Sequence, residues 1–390
     1  MYCGVKKGCV EQMMKSFIHT FSIKSKITAQ EFNMLKNKYN NRNFWTKGNR
    51  EYALSIFADN GIRIKITPCK EIERQMDKEH CYNKVEIIVT LFKLLHPGKC
   101  MGYITNEYDI AEISKRIIQL LNQVYVESNV DLLKRAQIKR IDITKDVITP
   151  SDTYTKEIIR LAKHALLPYG YKIWEPTEEM EREHPEWKID DAVFINKNNR
   201  EMNYKIYNKK ADLANQGEYL ENLGDKGIVR FELSLKGKIL RNLNIIDPKI
   251  SSLTNLKVIL WEITKNADML LQLYVVDTLS IRDILSKKIL VKYIRTKCGN
   301  KMKKADKMIR YIECLNKGDT SAYGSTKCIR YAEKEFNTMQ ISPLYAIKEC
   351  PYIPAYEKML EEDPHADKDL LKFAMMYNKN RGHDYIYWDL

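Results

Sequence analysis

Four short segments place a lone carboxylate or a tyrosine where strand-forming residues alone would not put one. In NYKIYNKKAD, residues 203–212, alternation read as a strand sets Asn203, Lys205, Tyr207 and Lys209 on one face and Tyr204 and Ile206 on the other. In IKRIDITKD, residues 138–146, Ile141 and Ile143 face one way and Arg140, Asp142 and Thr144 the other. GIVRFELSLKGKIL repeats the pattern: Val229, Phe231, Leu233 and Leu235 bury, while Arg230 and Glu232 oppose them. In KVEIIVTLFKLL, Glu86 sits among apolar neighbours. A tyrosine hydroxyl flanked by ammonium groups has the composition of a phosphodiester nucleophile. Lys209 is then placed to contact the phosphate or to lower the phenol from its ordinary pKa of about 10. If the strands share a sheet, Glu86, Asp142 and Glu232 form an oxygen-ligand cluster suited to Mg²⁺ or Mn²⁺. Such a cation would polarise the scissile phosphate. Plainer readings stand beside these: residues 203–212 as an exposed strand edge, and Arg140 with Asp142 and Arg230 with Glu232 as weak ion pairs on a solvated sheet.

The elements that must hold these residues are legible as patterns. Alternating or β-branched runs occur near 16–24, 52–58, 61–67, 83–92, 137–147, 192–196, 203–208 and 228–236. Helical spacing lies between them, in NEYDIAEISKRIIQLLNQV with Asn106 as its cap and in SDTYTKEIIRLAKHALLP after the Pro150–Ser151–Asp152 turn. The fold class expected is α+β, an antiparallel sheet flanked by helices and followed by a smaller helical domain. A boundary at Asp247–Pro248 divides residues 1–248 from residues 249–390. Beyond it the stretches 251–276, 280–298 and 303–318 all read as helices, and Lys317–Gly318–Asp319 as a turn between two of them. That pair is either a packing unit or a helix-turn-helix that reads DNA.

Charge points to the partner. The chain has 65 Lys and Arg against 51 Asp and Glu, a net +14, an excess that favours a polyanion. Residues 281–310 alone hold 11 cations and 2 acids, a solvated face or a phosphate-binding one. The candidates for DNA contact are Arg140, Lys205, Lys210 and Arg230 around the acidic strands, with Lys287, Lys288, Lys292 and Arg295 in the basic segment. No apolar run is long enough to span a bilayer and no export signal is found, so no membrane partner and a cytoplasmic location are expected. The nine cysteines show no CxxC spacing and are expected as reduced thiols, not as a zinc site.

Taken in order, KVEIIVTLFKLLHPGK, IKRIDITKD, YKIYNKKADL and IVRFELSLKGKILRN resemble the replication initiators of the filamentous-phage type, whose plasmid relatives are the trans-acting rolling-circle initiators and related mobilisation relaxases. The resemblance covers about residues 83–242; the later MIRYIECLNKGDTSAYGSTKCIRYAEKEF is similar to the family's helical C-terminal region with less specificity. It implies that Tyr207 attacks one strand of a replication origin, leaving a 5′-phosphotyrosyl link and a free 3′-hydroxyl. The origin would be single-stranded at the nick, and a host helicase or polymerase would be a further partner. The His-hydrophobic-His metal motif of many rolling-circle nickases is absent, so the resemblance implies acidic ligands; His96 is either a further ligand or, on the plainer reading, a solvent-facing turn residue before Pro97. Two alternatives are a mobilisation relaxase with the same chemistry and a copy-control regulator that binds DNA without catalysis.

Overall fold

The structure, a computed structural model, describes residues 15–39, 44–46, 52–54, 61–67, 83–97, 102–104, 106–133, 135–165, 167–174, 191–197, 202–220, 223–236, 239–240, 255–361 and 367–377. Strands β1 (Phe17–Ile27), β2 (Phe44–Thr46), β3 (Tyr52–Leu54), β4 (Ile62–Thr67), β5 (Asn83–Thr90), β6 (Gln137–Thr149), β7 (Tyr171–Trp174), β8 (Ala192–Lys197), β9 (Met202–Asn208) and β10 (Gly227–Lys236) form one sheet. Its order is β2-β3-β4-β5-β1-β6-β10-β9-β8-β7, with every pairing antiparallel. Three of the four strands that carry the chemistry-bearing residues, β6, β10 and β9, are therefore consecutive neighbours, while β5, with Glu86, is separated from them by β1.

Alternation decides the two faces. Ile141, Ile143, Phe231, Leu233, Tyr204 and Ile206 are buried on one of them. Helices α1 (Ala29–Tyr39) and α2 (Leu91–Leu95) pack on α3 (Glu107–Ser128), whose stripe of Ile110, Ile113, Ile117, Leu121 and Val124 is buried and whose cap Asn106 accepts from the Asp109 amide at 2.8 Å. Helix α4 (Asp152–Lys163) lies across β6, β8, β9 and β10. The opposite face is polar, apart from a small cluster of Phe17, Tyr103, Leu213, Leu220, Leu223 and Ile228, roofed in part by α5 (Lys209–Asn215).

Gly227 opens β10 where no side chain fits. A Cβ there would stand 2.6 Å from Thr149 Oγ1 and 2.8 Å from the Ser151 carbonyl, and closer still to Thr155 Oγ1. Gly227→Ala is expected to cost about 1–3 kcal/mol by overpacking, read as a lower urea midpoint at unchanged slope.

Residues 255–361 and 367–377 are mainly helical: α6 (Leu256–Lys265), α7 (Ala267–Leu271), a π turn leading to α8 (Asp277–Leu279), α9 (Lys287–Cys298), α10 (Met302–Asn316), α11 (Thr326–Met339), α12 (Tyr356–Leu360) and α13 (Lys368–Tyr377). Three short strands, β11 (Asp283–Ser286), β12 (Ile341–Ala346) and β13 (Tyr352–Ile353), add a small sheet in the order β12-β11-β13 that helical spacing did not announce. Residues 280–298 read as one helix, yet the chain is extended through Ser286 and the helix starts at Lys287. The expected boundary at Asp247–Pro248 lies outside the described residues. The apolar cluster runs without a break from the large sheet into these elements, α6 packing on β1 and α3.

Candidate active site

On the polar face, at the middle of the sheet, lies a cavity of about 560 Å³. Its walls are His19 and Thr20 of β1, Thr90 of β5, Phe92 and Lys93 of α2, Gly102, Arg140 and Asp142 of β6, Lys205 and Tyr207 of β9, Arg230 and Glu232 of β10, and Lys209, Asp212, Asn215 and Gln216 on or just after α5. Five cations thus face three carboxylates, a balance that favours an anionic occupant. The register sets the walls out in cross-strand rows. Tyr207, Arg230 and Asp146 stand opposite one another on β9, β10 and β6; Lys205, Glu232 and Thr144 form the next row; Asn203, Ser234 and Asp142 the third.

Tyr207 is 6 % exposed, and its hydroxyl reaches Glu232 Oε2 at 3.5 Å. The Lys205 ammonium lies 4.2 Å from its ring centroid. Burial drives the phenol well above its ordinary pKa; the Arg230 guanidinium opposes this, while Glu232, Asp212 and Asp146 add to it. Arg230 is itself gripped by Asp146, Nε to Oδ1 at 2.5 Å and Nη2 to Oδ2 at 2.6 Å, and Tyr103 donates to the same carboxylate at 3.0 Å. The plainer alternative, Arg230 paired with Glu232 on a solvated sheet, is therefore corrected: Asp146, directly across the ladder, takes the guanidinium, and Glu232 is left facing Tyr207. Tyr204, one position off in the alternation, points to the other face, its hydroxyl 3.1 Å from Thr278 Oγ1.

Of the three carboxylates expected to converge, two line the cavity. Asp142 is held by Arg140 at 3.2 Å and by Ser234, and burial pushes its pKa up to about 6, with Arg140 lowering it and Glu232 raising it. Glu86 shares the face but lies four residues along β5 from Thr90, about 13 Å, and is paired with Lys139. Among the described residues no group of three His, Cys, Asp or Glu side chains is placed to hold a metal ion. A hard cation that keeps phosphate oxygens and waters in its shell needs only one or two protein carboxylates, and Asp142 with Glu232 fit that smaller demand.

The raised pKa of Asp142 carries a sign. The folded protein disfavours the ionised carboxylate, so this residue's contribution is fully present below the unfolded value near 3.8 and is lost as pH rises through about 6. Asp142→Asn should therefore gain stability relative to wild type by about 2 kcal/mol between pH 4.5 and 7.5, measured by urea unfolding at both. A constant difference between the two proteins would contradict it.

Other expected residues fall elsewhere. Lys209 is not on the strand: Asn208 ends β9 and caps α5 by accepting from the Ala211 amide at 3.1 Å, so Lys209 begins the helix. Its ammonium still faces the cavity but is bound to Asp212 at 2.5 Å, and burial lowers its pKa. The cation that eases the phenol is Arg230 instead. Lys210 donates to the carbonyls of Gly224 at 2.9 Å and Lys226 at 3.1 Å, tying α5 to the turn before β10. His96 ends α2 with its ring 4.8 Å from that of Phe92, a cavity wall, and does not itself line the cavity. Lys287, Lys288, Lys292 and Arg295 are exposed on α9, Lys287 against Glu313 at 3.1 Å.

His19 was not foreseen. β1 carries an extra residue between Ile18, opposite Ile143, and Thr20, opposite Asp142. That bulge turns His19 into the cavity and switches the phase of the strand, so Phe17 joins the polar face's small cluster while Phe21 enters the main core. Its Nδ1 lies 2.8 Å from Thr20 Oγ1. Burial, then Arg230, Lys209, Lys205 and Lys93, hold its pKa well below the usual value, which makes it a neutral imidazole at neutral pH. Asp212, Asn215 and Gln216 were missed too, although their spacing of three and four puts them on one helix face.

No family model matches the chain, and no curated protein matches it. Among solved structures it is similar to the rolling circle replication initiator protein from Geobacillus stearothermophilus, at 12% identity and a TM-score of 0.27, over 58% of this chain and 75% of that one.

Among the described residues no helix is long and apolar enough to cross a membrane.

Proposed function

We propose that the chain is a site-specific DNA nicking and joining enzyme that starts rolling-circle replication through a 5′-phosphotyrosyl intermediate. The observation that carries this reading is the Tyr207 hydroxyl set against the Glu232 carboxylate inside a cavity whose walls hold five cations against three carboxylates. A phosphodiester entering the cavity meets Lys205, Arg140 and Arg230. The buried Nε of Arg140 has no partner, while its Nη2 serves Asp142; a phosphate oxygen would complete it.

Tyr207 Oη attacks the phosphorus and gives its proton to Glu232. The bond from phosphorus to Oη forms and the bond to the 3′-oxygen breaks; that oxygen takes a proton from solvent water and leaves as a hydroxyl able to prime a polymerase, and Glu232 returns its proton to solvent. Because the phosphodiester is exchanged and not hydrolysed, the reverse attack by a 3′-hydroxyl reseals the strand without ATP. Glu232 accepts the proton because, among the described residues, its carboxylate is the acceptor to which Oη donates, and Arg230 stabilises the phenolate as it develops. Asp142 and Glu232 are the residues that would hold Mg²⁺ or Mn²⁺, which would supply charge neutralisation at the phosphate.

The test is incubation of the protein with Mn²⁺ and supercoiled DNA of its own replicon, a denaturing gel for a protein–DNA adduct, and mapping of the modified peptide by mass spectrometry. The proposal expects nicked circles and a nucleotide on Tyr207. A shift in a native gel with neither nick nor adduct would leave a non-catalytic DNA-binding regulator. An adduct on DNA of a transfer origin and not of a replication origin would assign the same chemistry to mobilisation.

A further inference from the structure

A second cavity, of about 420 Å³, opens between α10 and α11 at the end joined by the 3₁₀ turn Thr320–Tyr323. It is lined by Lys307, Arg310, Tyr323, Lys327, Cys328 and Tyr331, with no carboxylate among them. The spacing explains the arrangement. Lys307 and Arg310 are three apart on α10, and Lys327 and Tyr331 four apart on α11, so each pair shares a helix face.

Both tyrosines are anchored at one side and open at the other. Tyr331 is 52% exposed; its hydroxyl donates to Glu335, which is itself bound to Lys304 at 2.5 Å. Tyr323 packs edge-on against the buried Tyr311, ring centroids 5.1 Å apart. Arg310 donates to the Ala322 carbonyl at 3.1 Å, which fixes its guanidinium beside the turn. Lys307 and Lys327 make no ion pair among the described residues, although α10 carries acids and α11 begins nearby. Two pre-set aromatic rings and three cations without an acid are the makings of a site for a base and its phosphate.

We propose that this cleft binds an unpaired nucleotide of single-stranded DNA, the base stacking on Tyr331 and Tyr323 and the phosphate meeting Lys307, Arg310 and Lys327. The choice of a DNA strand as the source rests on the proposed nicking function; the preference for a nucleoside phosphate rests on the cleft alone. Held there, a displaced strand would be gripped at a second point, at the end of the basic segment 281–310 and apart from the cavity of Tyr207.

Cys328, exposed on the wall of the cleft, is a local reporter. The experiment uses the full chain and follows alkylation of Cys328 by iodoacetamide, with peptide mass spectrometry, in the presence of oligothymidylate, of an abasic oligonucleotide of equal length, or of thymidine monophosphate. Oligothymidylate should slow alkylation at Cys328 well beyond what the abasic strand does. Tyr331→Leu should weaken oligothymidylate binding roughly tenfold, measured by fluorescence anisotropy, and leave abasic binding unchanged. Unchanged alkylation, or an equal loss for both strands in the variant, overturns the proposal. Protection by the mononucleotide at the same concentration as the strand overturns the strand as the source and makes the cleft a free-nucleotide site. The two functional readings fail separately: protection without any Tyr207 adduct removes only the nickase, and an adduct without protection removes only the cleft.

Discussion

Tyr207→Phe is expected to fold, to bind DNA and to form no covalent adduct, with nicking reduced about 10⁴-fold or more, the scale on which loss of a nucleophile acts. The substitution keeps the ring that Lys205 covers and removes one oxygen, whose contact with Glu232 is a long 3.5 Å. Stability should therefore change by no more than about 1 kcal/mol. Glu232→Gln separates the two roles in the step. It keeps the nucleophile and removes the proton acceptor, together with one of the two carboxylates that would hold a cation, for an expected loss of about 10²–10⁴-fold. Tyr204→Phe is the control, since that hydroxyl is spent on Thr278 across the sheet. An adduct that survives in Tyr207→Phe and vanishes in Tyr204→Phe would move the nucleophile to the other face and undo the site.

What the sequence made legible was whatever depends on period two. The faces of β6, β9 and β10 follow directly from the alternation, because each pairs Ile, Val, Leu or Phe on one side with charged residues on the other. Tyr207, Asp142, Arg140, Arg230 and Glu232 meet in one cavity for that reason. Three things were not legible. Strand ends depend on capping, and Asn208 takes Lys209 off the strand with one side-chain bond. Partner choice depends on register, and only the ladder shows that Arg230 sits opposite Asp146 and not beside a free Glu232. Bulges depend on pairing, and His19 between Phe17 and Phe21 looks like one more residue of the same face until the extra position appears. Glu86 obeyed the alternation and still missed the cavity, since a shared face does not fix how far along a strand a residue lies.

The largest expected effect on stability belongs to a residue that attracted no attention in the sequence. Asp146 and Arg230 are 2% exposed, joined by two short bonds, with Tyr103 bonded to the carboxylate and Phe17 5.7 Å from the guanidinium. Asp146→Ala takes the bidentate carboxylate away from a guanidinium that is only 2% exposed, and should cost about 3–5 kcal/mol in urea unfolding. Exchange of both partners for apolar residues, Arg230→Met with Asp146→Leu, removes the orphaned charge and should return most of that stability. Nicking should not return with it. Arg230 is the cation that opposes the rise in the Tyr207 pKa, and methionine cannot stand in for it. A double variant that is stable and still nicks at the wild-type rate would show that the pair serves only to brace the sheet. A stable variant that binds DNA and fails to nick would place the Asp146–Arg230 pair behind the nucleophile as its positioning and charge-setting support.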